Sequence, residues 1–154
     1  MIRRLIKRED AQSLAEFALV VPIFLILVFG IIDFGMGLRA YITVSQATRE
    51  GARYASVGNP AGTFTAGGTA PCNGSTTTSA VGRVCSAMDG LDLTDIQTVS
   101  VTYPAGQIPG NSVRVRTEYR YHYITPIRTL LSVFTGGGVP DYLTISSTTD
   151  MRLE

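Results

Sequence analysis

With 154 residues, the chain has room for one membrane segment and one small domain of roughly 100 residues. Thirteen Lys and Arg against twelve Asp and Glu leave a formal charge of +1, so no global field draws the protein to nucleic acid or to an acidic substrate. A single His and two Cys leave little material for a metal site, and neither a cofactor nor a small-molecule substrate is expected.

The first eight residues hold Arg3, Arg4, Lys7 and Arg8. Beyond them, Glu16 to Leu38 reads EFALVVPIFLILVFGIIDFGMGL, with no formal charge between Glu16 and Asp33. At a rise of about 1.5 Å per residue this run and its flanks match the roughly 30 Å hydrocarbon thickness of a bilayer. It reads as a transmembrane helix whose membrane part covers about residues 17–38. The basic cluster favours the cytoplasmic side, so the expected topology is N-terminus in and C-terminal part outside; Arg39 alone does not balance it. A cleaved secretory signal is disfavoured, because the run exceeds a usual signal core and DFGMGLRAY, not a small-x-small site, follows it.

Between the basic cluster and the apolar run stand Glu9, Asp10, Ala11, Gln12, Ser13, Leu14, Ala15, Glu16 and Phe17. An acidic residue here sits at headgroup level and complements the positive end of the helix, which is the plain reading of Glu16. Pro22 removes one intrahelical hydrogen bond, a loss that membrane helices tolerate. Asp33 lies near the outer edge of the run, where solvation at the interface accounts for it; a subunit contact is the lesser reading.

LRAYITVSQATREGARYASV, residues 38–57, continues a helical pattern, predicting one helix from about Ser13 to Val57. Leu38, Ile42, Ser45 and Ala52 are expected on one face, with Arg39, Gln46, Arg49 and Arg53 elsewhere. Ala40, Ala47, Gly51 and Ala55 allow close approach of another element, by default the protein's own domain.

Taken together, AQSLAEFALVVPIFLILVFGIIDFGMGLRAYITVSQATREGARYASVG resembles the TadE-like family, minor pilins or pseudopilins of the tight-adherence (Flp) pilus. The likeness lies in an ordered set of features: a small-residue junction, the Glu16-Phe17 pair, Pro22, the acidic-Phe-Gly at Asp33, and the Gln46-Ala-Thr-Arg-Glu-Gly stretch. It implies that a prepilin peptidase cuts on the cytoplasmic face between Ala11 and Gln12, placing Glu16 fifth in the mature chain. Ala11 stands where the family usually has Gly. The resemblance also implies that Glu16 and Phe17 are assembly contacts with other pilin subunits, the carboxylate pairing with a neighbour's new N-terminal amine. An unpaired charge in that low-dielectric setting would be costly.

Downstream, Gly58 and Asn59-Pro60 predict the end of the helix. A loop rich in Gly, Thr, Ser and Pro runs to Ala80, and its Asn73-Gly74-Ser75 fits a glycosylation sequon of little weight. Cys72 and Cys85 are expected to form a disulfide outside the cytoplasm, worth about 3 kcal/mol by restricting the unfolded chain. Residues 79–90 predict a short helix with Val81, Val84 and Met88 on one face. The period then falls to two. Val99, Val101 and Tyr103 alternate with polar residues; so do Val113, Val115, Thr117, Tyr119, Tyr121 and Tyr123 against Arg114, Arg116, Glu118, Arg120 and His122. Leu143, Ile145, Met151 and Leu153 close the chain in a third alternation, after a short apolar helix or packed loop at ITPIRTLLSVF and a hinge-like Gly136-Gly137-Gly138.

Three strands in a meander, covered by the outer part of the long helix, make an α+β, pilin-like fold. The organisation expected is a basic leader over 1–11, the long helix over 12–57 and an extracytoplasmic α+β domain over 58–154. No phosphate loop, nucleophile elbow or His-Cys cluster is present, and His122 reads as a solvated side chain on a polar strand face. Tyrosines and arginines fall on opposite faces of the central strand, which does not suit a nucleic-acid platform. The expected function is structural and non-catalytic; an unprocessed, signal-anchored binding or scaffold domain is the alternative.

Overall fold

A computed structural model of the protein describes residues 8–57, 69–70, 72 and 79–154. In chain order the elements are α1 (Arg8–Ser56), β1 (Thr69–Ala70), α2 (Ala80–Ala87), a 3-10 turn (Leu93–Asp95), β2 (Ile96–Thr102), β3 (Ser112–His122), α3 (Ile127–Thr135) and β4 (Tyr142–Arg152). The leader up to Lys7, the predicted helix stop at Gly58 and the Asn73 sequon lie outside the described residues.

The α+β class and the single long helix are as the sequence predicts, with two differences of extent. α1 (Arg8–Ser56) includes residues ahead of Ser13, because the intervening Glu, Ala and Gln are good helix formers and neither Gly nor Pro interrupts them. The sheet gains a fourth, two-residue strand from the predicted loop: its order is β1-β2-β3-β4, all antiparallel.

Two units divide the chain, Met36–His122 with Tyr142–Glu154, and Met1–Gly35 with Tyr123–Asp141. In the first, β3 is the centre of the sheet. It pairs with β2 through Val99↔Thr117 and Val101↔Val115, and with β4 from Ser112↔Arg152 to His122↔Tyr142. Val99, Val101, Val113, Val115, Thr117, Tyr119 and Tyr121 are buried, as the period-two alternation requires. β4 follows the same alternation less deeply: Ile145 is buried, as is Leu153 just beyond the strand, whereas Leu143 is exposed.

The helix meets this core through the small residues expected to allow close approach, and of the face listed with Leu38 only Ala52 is buried. Leu38 and Ile42 are exposed, while Ala40, Val44, Ala47, Thr48, Ala52 and Ala55 are buried. Small side chains form the stripe because close approach of backbones, rather than bulk, fills the space here. At Gly51 this reaches a limit: a Cβ would stand 2.3 Å from Val84 Cγ2 of α2 and 3.1 Å from the Ala80 carbonyl oxygen. The Thr48 hydroxyl, also buried, is hydrogen-bonded to the Val44 carbonyl at 2.7 Å and to the Thr117 hydroxyl at 3.0 Å, so α1 and β3 share a satisfied polar contact inside the core. At the N-terminus of α2 the Ser79 hydroxyl accepts from the Gly82 amide at 3.0 Å, as a Ser cap should. The Cys72–Cys85 disulfide, Cα to Cα 5.5 Å, ties α2 to the chain ahead of it.

In the second unit the N-terminal part of α1 accompanies α3. The C-cap of α3 is Gly136 at φ 73°, a left-handed conformation that Gly adopts without a Cβ penalty, and its amide donates to the Ser132 carbonyl. Arg128 pairs with Asp141 and its Nε donates to the Val139 carbonyl at 3.2 Å, which folds the return of the chain along the polar side of α3.

Candidate functional site

The N-terminal half of α1 carries the residues that the resemblance singles out. It is long and apolar enough to cross a membrane: an 18-residue window reaches a mean hydropathy of 2.8, and 6% of that window is buried. The low burial decides against the core helix of a water-soluble domain, which would hide such residues. Leu14, Phe17, Leu19, Val20, Ile23, Phe24, Leu27 and Ile31 are all exposed. This surface needs either lipid or other helices.

At its start, Gln12 Nε2 donates to Glu16 Oε1 at 3.1 Å, the two side chains lying one turn apart on one helix face. A carboxylate offers about four acceptor positions, and the Gln12 amide takes one. Glu16 and Phe17 are both exposed, one at the head of the apolar surface and one on it. Ala11 lies within α1, so the bond between Ala11 and Gln12 belongs to helical backbone. Gln12, Glu16 and Phe17 are thus gathered at one end of the helix, whereas Cys72 and Cys85 belong to the other unit.

Asp33 is the residue whose part the sequence reading missed. Expected at a solvated interface, it is buried, with 5% of its surface exposed. Its Oδ1 accepts from the backbone amides of Ile124 at 2.9 Å and Thr125 at 3.3 Å, and its Oδ2 accepts from the Thr125 hydroxyl. A buried carboxylate persists when several donors replace its water, and these three are among the partners of this one. Next to it, Ile127 Cδ1 lies 3.6 Å from where a Gly30 Cβ would stand, so α3 rests against the glycine turn of α1. Two signals in the sequence point there: an acidic residue inside an apolar run marks a built site by default, and Ile124-Thr125-Pro126 opens a helix with unpaired amides.

The solvent face of the sheet is engaged with itself. Arg114 holds Asp150 through two hydrogen bonds, at 2.7 and 2.8 Å, and this keeps the carboxyl below its ordinary range. Arg116 pairs with Glu118 at 2.6 Å, and the Arg120 guanidinium sits 4.8 Å above the Tyr142 ring. His122, expected as a solvated side chain, is half-exposed and places Nε2 3.2 Å from Asp95 Oδ1. Among the described residues no group of His, Cys, Asp and Glu could hold a metal ion.

Residues 11–53 match the family described as TadE-like protein. That stretch contains the Gln12–Glu16 contact, the exposed apolar surface, Asp33, and the small-residue stripe as far as Gly51 and Arg53. No curated protein and no solved structure matches the chain.

Proposed function

We propose that this protein is a minor pilin or pseudopilin, a structural and non-catalytic component in the assembly of a tight-adherence (type IVc) pilus. The observation that carries this reading is the coincidence of the TadE-like match with an apolar helix that its own fold leaves uncovered. An assembly helix must be lipid-soluble before incorporation and helix-packed afterwards, and a helix exposed almost all round serves both states.

In this reading residues 1–11 are a leader, about residues 17–38 span the bacterial cytoplasmic membrane, and 58–154 lie outside, the Arg and Lys of the leader holding the N-terminus in the cytoplasm. A prepilin peptidase cuts between Ala11 and Gln12. The bond lies ahead of the apolar run that begins after Glu16, so local opening there would leave the apolar part undisturbed. Glu16 then takes the new N-terminal amine of a neighbouring subunit, and Phe17 packs beside it.

N-terminal sequencing and intact mass of protein from native membranes test the proposal. A mature chain beginning at Gln12 supports it, and a retained basic leader would instead favour an unprocessed, membrane-anchored scaffold. Glu16→Ala is expected to leave insertion and cleavage intact and to impair incorporation into filaments; normal assembly by this variant removes the pairing role.

A further inference from the structure

We infer that α3 and the turn ahead of it form an interfacial element that lies in the lipid headgroup and upper acyl region of the membrane, at the C-terminal end of the span. The inference rests on the membrane reading of α1 given above. Its first support is depth. Counted from Glu16 at about 1.5 Å per residue, Gly30 and Asp33 stand roughly 21 and 26 Å along a hydrocarbon layer of about 30 Å. Asp33 therefore lies inside the layer, near its far boundary, and the amides of Ile124 and Thr125 are bonded to it there. Ile127 is held against Gly30 at the same level. The turn cannot sit in bulk water while these bonds exist.

The second support is which side of the element is covered. Arg128, with its contacts to Val139 and Asp141, occupies the polar side along with Thr129 and Ser132. The apolar edge is left open: Ile124 is 61% exposed and Val133 is 76% exposed. Ile31 and Phe34 of α1 are exposed too and lie at the depth of Gly30 and Asp33, so apolar side chains already face lipid at the level to which Asp33 holds this turn. A short amphipathic helix with a cationic polar face buries its apolar face about 5–10 Å into the headgroup boundary, the depth that Asp33 enforces.

Because the protein contains no Trp, a single introduced Trp reports its own surroundings. Full-length Val133→Trp would be reconstituted in phosphatidylcholine vesicles whose acyl chains carry bromine either near the headgroup or near the chain end. Blue-shifted emission that loses more intensity to the shallow bromines than to the deep ones is expected. Emission at the wavelength of a water-exposed indole, quenched by iodide and insensitive to either bromine, would overturn the inference. So would blue-shifted emission that ignores bromine and changes with the protein-to-lipid ratio, since that indicates a second copy of the chain on this edge. Phe24→Trp, measured in parallel, tests the underlying reading separately: deep bromines should quench it, and if they do not, the span itself is wrong, not merely the placement of α3.

Discussion

Thr125 and Asp33 are 92 positions apart in sequence and hydrogen-bonded in the fold, the threonine hydroxyl donating to a carboxylate that also accepts two backbone amides. The contact holds the turn after β3 at α1 before the chain returns as β4.

Asp33→Ala removes an acceptor from three donors and leaves two backbone amides to find others. The expected cost to the local structure is about 1–3 kcal/mol, the usual penalty for unpaired buried groups. Hydrogen exchange should quicken at residues 124 to 127 while the amides of β2 and β3 keep their protection. Unchanged exchange at Ile124 and Thr125 would show that the carboxylate does not hold the turn.

Gly51→Ala sets two effects against each other. Ala favours a helix over Gly by up to about 1 kcal/mol, but overpacking a filled core costs about 1–3 kcal/mol. Val84 is fully buried and branched at Cβ, so it cannot swing away, and a net loss of stability is expected. In a Val84→Ala background the same change should become neutral or stabilising. A denaturation cycle on the four proteins reads the coupling, and additive effects would refute the clash.

Replacing Cys72 and Cys85 by Ser should lower stability by about 2–4 kcal/mol, from the loop entropy returned to the unfolded chain. Their separation of 13 residues places the expected loss near the middle of that range, about 3 kcal/mol. Alkylation without reductant should leave the mass unchanged, and alkylation after reduction should raise it.

Asp150 supplies a dependence on pH of known sign. Its folded carboxyl titrates below the ordinary value of 3.8 because Arg114 donates to it, so the contribution is present above that value and is lost as pH falls through the lower, folded one. The pair is exposed and the effect accordingly small. Arg114→Gln should flatten the acid limb of a plot of denaturation midpoint against pH, and raised salt should flatten it in the wild type. An acid limb indifferent to both would assign the acid sensitivity to other carboxylates.

Much of this architecture was legible in residue order. A run free of charge from Phe17 to Ile32 can form little but a helix seeking apolar surroundings, and strict alternation from Val113 to Tyr121 can form little but a strand with one buried face. Both are local properties, carried by neighbours in sequence. The Gln12–Glu16 contact is local in the same sense, since one helical turn separates the two. The buried stripe of α1 was legible in its small residues, Ala40, Ala47, Gly51 and Ala55, whereas the exposure of Leu38 and Ile42 was not, since both outrank them in hydropathy.

Hydropathy by itself determined that an apolar helix precedes an antiparallel sheet, and spacing determined which sheet face turns inward. Small residues marked the side of the helix that a partner could approach, and only the tertiary structure decided that Leu38 and Ile42 stay outside, because burial depends on how near the partner comes and not on the residue alone. Only it decided the place of Asp33. A carboxylate's meaning is set by the donors around it, and the donors for this one come from a turn that residue order puts at the other end of the chain.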